Sequence, residues 1–363
     1  MTDIRYTFSH QGKARIGRAS FEDTKDRNKP IVVMVHGQGG NLGDWIQPGY
    51  HKINFDYEGP GPAVQNHGWH LGPPLPMTFP PVLPMADRRK SVVGIQPYLK
   101  QRGFPTVVYT QHQSDRVSIQ QSALELEALV GAVVQATGGP ASPRPIALLA
   151  HSRGGLVVRA FLKDNGGTDL TRRISRVITL ISPHQGSQLA NLSVAAGVPI
   201  EVLVSGLSTV SSLTSLIRSI LKPFADWLSN DSRKDLQVGS QFLQRLAHGE
   251  APLPGVRYVT FGGTSTTVTR IWQHVYTPDS YVPRRMHLKS FNHRSFAVQW
   301  PMISPLAETI PAPCDELRHG RGDLLVSNER SKLPFSLHRT MHVNHAEVLW
   351  DDRTKVEIAD LLS

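Results

Sequence analysis

The chain has 363 residues, 39% of them hydrophobic and 7% aromatic, which allows a sizeable buried core and argues against wholesale disorder. Lys and Arg outnumber Asp and Glu by 39 to 29, but the basic residues are scattered, with no long basic run and no aromatic-interleaved patch. No nucleic-acid partner is expected; the charge reads as a solvated basic surface or as one suited to an anionic membrane or lipid surface. Cys314 is the single cysteine, so no internal disulfide can form, and no apolar run reaches the roughly twenty residues a bilayer span needs. Residues 1–6 lack a secretory-signal pattern, so the expected location is cytoplasmic.

Residues 4–21 read as two short strands about a turn at Gly12. The run Ile31–Val35 is apolar at every position, as in a strand buried on both faces of a parallel sheet. It ends in His36-Gly37-Gln38-Gly39-Gly40, where glycines let main-chain N–H groups face a ligand at the sheet's carboxyl edge. Residues 41–86 form a Pro-, Gly- and His-rich loop insertion with Trp45, Phe55, Tyr57 and Trp69 to bury. Its His51, Asp56, His67 and His70 match no standard zinc spacing, and neither metal nor cofactor is expected.

A helix over 88–102, a strand over 106–110 and a helix over 117–136 follow, the last stopped by Gly138-Gly139-Pro140. Next comes Ile146-Ala147-Leu148-Leu149-Ala150-His151-Ser152-Arg153-Gly154-Gly155, an apolar strand, a tight polar turn and the start of a helix. A strand over 176–181 leads into Ser182-Pro183-His184-Gln185-Gly186-Ser187. The spacing of apolar residues over 188–232 predicts two or three amphipathic helices with no strand, a helical cap or lid insertion. A helix over 241–247, a strand over 256–263, an irregular stretch over 265–312, a strand over 339–343 and a terminal helix opening at about 344 complete the chain. Alternating strands and helices predict a single α/β domain over 1–363 with a mainly parallel central sheet flanked by helices.

Ser152 sits at the tip of the turn, where its hydroxyl is lifted clear of both elements. A serine hydroxyl needs a base to take its proton as it attacks, and histidine, held in the right tautomer by a carboxylate, suits that role. Ser152, Asp323 and His345 each lie on a loop beside a predicted strand, in the order serine, acid, histidine. Asp315, Glu316 and Glu329 are rival acids, and His342 is a rival base. The main-chain N–H groups of Gln38 and Arg153 are the natural pair of oxyanion donors. His36, Gly37, Gly154 and His151 are expected to support them, His151 as a packing residue under the turn rather than a second base. The Arg153 side chain either plays no part or meets an acyl or phosphate group at the mouth of the site.

Taken together, Val35-His36-Gly37-Gln38-Gly39-Gly40, Ala150-His151-Ser152-Arg153-Gly154-Gly155, Ser182-Pro183-His184-Gln185-Gly186-Ser187, Asp323 with its Leu-Leu-Val-Ser tail and Asn344-His345-Ala346 resemble the α/β-hydrolase superfamily. Within it they are similar to bacterial lipases and carboxylesterases, and Ala150, in place of the usual first glycine, resembles a branch of those lipases and certain polyester depolymerases. The resemblance covers roughly 29–40, 88–190 and 233–363, leaves 41–86 and 265–312 unexplained, and departs from the family where Asp-Leu replaces Asp-Gly at 323–324. It implies a hydrolase of small-molecule or lipid-like esters acting through an acyl-enzyme. Acyl transfer or phospholipid deacylation by the same residues, polyester cleavage, and a catalytically silent binding module are the alternatives. Oligomeric state is not legible.

Overall fold

The computed structural model describes residues 2–24, 26–48, 93–195, 232–266, 270–278, 291–299 and 314–363. Two compact units emerge: one of 1–49, 93–266 and 303–363, the other of 50–92 and 267–302. His51, Asp56, His67 and His70, for which no metal is expected, most of the 41–86 loop and most of the 188–232 cap lie outside the described residues.

The larger unit is built on an eight-stranded sheet. Its strands are β1 (Thr2–His10), β2 (Lys13–Glu22), β3 (Ile31–Val35), β4 (Thr106–Tyr109), β5 (Ile146–His151), β6 (Ile174–Leu180), β7 (Arg257–Gly263) and β10 (Leu337–Met341), in the order β1-β2-β4-β3-β5-β6-β7-β10. From β4 to β10 every neighbouring pair is parallel, and β1 and β2 close one side antiparallel. The apolar runs explain the centre: Ile31–Val35 and Ile146–Ala150 are fully buried, as strands covered on both faces must be. Strand β1 alternates instead, with Ile4, Tyr6 and Phe8 inward and Arg5, Thr7 and Ser9 outward. The β1–β2 turn, Gln11-Gly12, has φ of 50° and 74°, the two-residue reversal whose twist suits a hairpin.

Helices flank the sheet. After α1 (Gly43–Ile46) and α2 (Ile95–Gln101), α3 (Ile119–Ala136) starts where the Ser118 hydroxyl accepts the Gln121 N–H, and buries Ile119, Ala123, Leu126, Val130 and Val133 at helical spacing. Helix α4 (Arg153–Asn165) begins immediately after Ser152 and packs on α3. Helix α5 is Gln188–Ala195. Among the described residues no helix is long and apolar enough to cross a membrane.

Three expectations are corrected. The terminal helix runs over Asp352–Leu362, capped by the Asp351 carboxylate on the Thr354 N–H, so His345 stands in the loop before it. Asn344 diverts the chain there: its side-chain oxygen accepts the N–H groups of Ala346 and Glu347, a turn that competes with helix. The stretch over 265–312 is not wholly irregular, since β8 (Arg270–Pro278) and β9 (Phe291–Gln299) of the smaller unit pair antiparallel along their whole length. The last sheet strand, β10, also sits two residues earlier than the pattern over 339–343 suggests.

Candidate active site

Ser152 sits between the end of β5 and the first residue of α4 with φ 52° and ψ −128°, a backbone conformation side chains rarely adopt. The geometry is over-determined. The Ser152 N–H donates to the Leu180 carbonyl at 2.9 Å, and its own carbonyl accepts the Gly155 N–H at 3.0 Å. A Cβ on Gly154 would run into the Val35 carbonyl oxygen and stand 2.7 Å from that of His36; one on Gly37 would stand 3.1 Å from the Ser152 Cβ. Both glycines are demanded by close approach of the His36-Gly37 loop to the turn. Gly154→Ala is expected to lower unfolding stability by about 1–3 kcal/mol through forced main-chain displacement, read by urea midpoint. A wild-type midpoint would mean the loop relaxes freely.

The structure brings Ser152, His345 and Asp323 into one hydrogen-bonded chain. His345 Nε2 lies 2.8 Å from the Ser152 Oγ, and His345 Nδ1 lies 3.0 Å from Asp323 Oδ2. An ionised carboxylate only accepts, so Nδ1–H donates to Asp323 and Nε2 is free to accept the serine proton. The other Asp323 oxygen accepts the N–H groups of Leu325 at 2.9 Å and Val326 at 2.7 Å. Asp323 is fully buried, and Ser152 and His345 are 3% and 5% exposed.

The rivals are placed elsewhere. Asp315 pairs with Arg318 and Arg321, and Glu329 with Lys332. Glu316 is buried and accepts the Gln188 N–H, with Arg330 nearby at 3.6 Å. His342 is exposed, contacts Thr264 Oγ1 at 3.3 Å and meets the His319 ring edge-on. The departure at 324 has a visible consequence: Leu324 adopts φ 94°, the region that favours glycine, with its N–H donating to the Glu316 carbonyl.

His151 clamps His345. Its Nε2–H donates to the His345 carbonyl at 2.9 Å, while the His345 N–H donates to the Asp323 carbonyl at 3.0 Å, so both ends of that residue's backbone are held. Burial lowers the His151 pKa to about 3, with the neighbouring His345 adding to the effect, so the ring stays neutral. A neutral folded form opposed by an unfolded form that protonates near 6.5 loses stability as pH falls below that value. His151→Gln keeps a donor at the Nε2 position without titrating. Between pH 7 and pH 5 the wild type is expected to lose about 2 kcal/mol more than this variant in urea unfolding, and an unchanged gap would contradict the neutral assignment.

His36 is fixed in the same manner. Its Nε2 accepts the Gln111 N–H at 2.8 Å, so Nδ1–H donates to the Gly37 carbonyl at 2.7 Å. Burial lowers its pKa to about 4. The Gly40 N–H also reaches that carbonyl, at 3.4 Å. In a planar trans peptide the Gln38 N–H then points the opposite way. Gln111, just past the end of β4, escaped the sequence reading; its position at the carboxyl edge was the available signal. Ser187 was missed likewise, and its hydroxyl donates to the Leu325 carbonyl behind Asp323.

The Arg153 side chain does not reach a mouth. It is fully buried, donating to the Val117 carbonyl at 2.8 Å and to Ser122 Oγ at 3.1 Å. His184, with Nε2 2.8 Å from Thr179 Oγ1 and its carbonyl accepting from Arg159, is a packing residue. Among the described residues no group of three His, Cys, Asp or Glu is placed to hold a metal ion.

No protein-family profile and no curated protein matches the sequence. Solved structures do resemble it. The mature form of the Bacillus licheniformis lipase BlEst2 superposes with a TM-score of 0.55 at 16% identity, over 95% of this chain and 98% of that one. The propeptide form gives 0.52 at 17% identity, over 95% of this chain and 53% of that one. With the sheet order above, the likeness decides the architecture. This is an α/β-hydrolase fold. In such a fold, loops at the carboxyl ends of β3 and β5 and the loops carrying Asp323 and His345 converge on one edge of the sheet, where open α/β sheets bind ligands.

Proposed function

We propose that the chain is a serine hydrolase that cleaves carboxylic esters through an acyl-enzyme. The observation that carries the proposal is the continuous chain from Ser152 Oγ through both nitrogens of His345 to Asp323 Oδ2, at 2.8 and 3.0 Å. Ser152 Oγ attacks the ester carbonyl carbon as its proton passes to His345 Nε2, and Asp323 stabilises the imidazolium formed. The oxyanion faces the N–H groups of Gln38 and Arg153, the first aimed by the fixed Gly37 carbonyl and the second by the start of α4. Collapse expels the alcohol, which leaves with the proton from His345. Water then attacks the acyl carbon, giving its proton to His345, and on collapse the Oγ–C bond breaks, His345 returns that proton to Ser152 Oγ and the acid is released.

Preorganisation supports this reading. The strained Ser152 backbone, the clamped His345 and the anchored Gly37 carbonyl are each fixed by hydrogen bonds within the chain, so little reorganisation accompanies charge development. The test is turnover of p-nitrophenyl esters from acetyl to palmitoyl by the purified chain, and its loss in Ser152→Ala. No turnover above buffer across the series would contradict the proposal.

A further inference from the structure

We propose that the end of the β1–β2 hairpin is a docking surface for an anionic lipid surface, placed so that the sheet edge bearing the candidate site faces the lipid. Strand β2 pairs with β4 only from Ala19 to Glu22, with Ala19 opposite Tyr109, the last residue of β4. Because the pairing is antiparallel, the earlier residues of β2 continue past the carboxyl end of β4. Residues 11–16 are accordingly all exposed, including Lys13, Arg15 and Ile16, and Arg18 is exposed behind them. Ile16 is 75% exposed, the most of any large apolar residue described.

The electrostatics have one sign. Between Ile4 and Phe21 there is no acidic residue, while Arg5, Lys13, Arg15 and Arg18 are cationic. Arg5 and Arg18 stand directly opposite each other in the hairpin register, a like-charge pairing that costs stability unless an anion shares it. Arg15 and Lys13 are paired with Phe8 and His10 and so lie on the other face, which gives the projecting end cations on both faces. A projecting strand end with one exposed aliphatic side chain set among cations fits the headgroup layer of an anionic bilayer, into which Ile16 can insert. Nucleic acid is a poorer fit, because the hairpin's aromatics, Tyr6, Phe8 and Phe21, are buried and offer no stacking surface.

The hairpin end is also linked to the candidate site. The His10 ring meets the His112 ring edge-on at 4.8 Å, His112 follows Gln111, and Gln111 holds His36. Docking therefore goes beyond ester cleavage but shares its edge of the sheet, and it stands or falls separately from the proposed chemistry.

Co-sedimentation of the full chain with vesicles of phosphatidylcholine alone, or containing phosphatidylglycerol, tests the proposal. Binding is expected only with phosphatidylglycerol and is expected to fall as salt rises. Lys13→Glu with Arg15→Glu should weaken it by roughly 25-fold or more, at about fivefold per cation. Arg172→Glu with Arg257→Glu carries the same charge change at the opposite, amino-terminal ends of β6 and β7 and should weaken it far less. Arg5→Glu should weaken binding while holding or raising the melting temperature, since it faces Arg18. All three variants should hydrolyse a soluble p-nitrophenyl ester like wild type, so loss of docking and failure of the ester reading are distinguishable. Equal loss in the two double variants, binding to phosphatidylcholine alone, or retention on RNA without retention on phosphatidylglycerol vesicles would overturn the proposal.

Discussion

Ser152→Ala is expected to reduce kcat/KM on p-nitrophenyl butyrate by about 10⁴- to 10⁶-fold, while the urea midpoint stays at or above the wild-type value. Removing the hydroxyl deletes the attacking atom and one hydrogen bond, the 2.8 Å contact to His345 Nε2, and leaves every main-chain contact of the turn intact. The positive φ of 52° remains with alanine, so the strain remains too; Ser152→Gly should relieve it and raise stability by roughly 1 kcal/mol or more. Loss of turnover with retained stability separates a chemical role from a structural one. Retained turnover in Ser152→Ala would remove the assignment outright.

Asp323→Asn should lower kcat by about 10⁴-fold. The asparagine oxygen can still accept the N–H groups of Leu325 and Val326, so the loop keeps its shape. Its amide nitrogen then faces His345 Nδ1 as a donor. That forces the other imidazole tautomer, in which Nε2 carries a proton and can no longer accept one from Ser152. Asp315→Asn and Glu329→Gln, whose carboxylates pair with surface cations, should retain near-wild-type turnover. A large loss in either, with Asp323→Asn active, would reassign the acid.

The sheet was legible where burial on both faces made the pattern unmistakable. Ile31–Val35 appears with the boundaries its apolar run suggests, and so does the helix Gln241–Ala247. The order serine, acid, histidine along the chain could be read, but not their meeting, which depends on crossovers bringing residues 152, 323 and 345 to one edge. The opening of the terminal helix was misread because Asn344 and Asp351 are both capping residues, and only tertiary contacts choose between them. Of the polar anchors of the site, Gln111 lacked any signal beyond place and Ser187 was marked only as the end of the Ser182–Ser187 segment, since both act through the main chain of other loops. The two stretches the superfamily resemblance left unexplained, 41–86 and 265–312, largely coincide with the smaller compact unit over 50–92 and 267–302. Paired strands β8 and β9 there carry polar and aromatic residues in mixed order, without the alternation that marks a half-buried strand.

The most direct measurement is labelling of the intact chain with a fluorophosphonate, followed by peptide mass spectrometry. A base-activated serine should give one adduct, on the peptide containing Ser152, and none in Ser152→Ala. An unlabelled protein, or an adduct on another residue, would contradict the nucleophilic role of Ser152 and with it the ester chemistry.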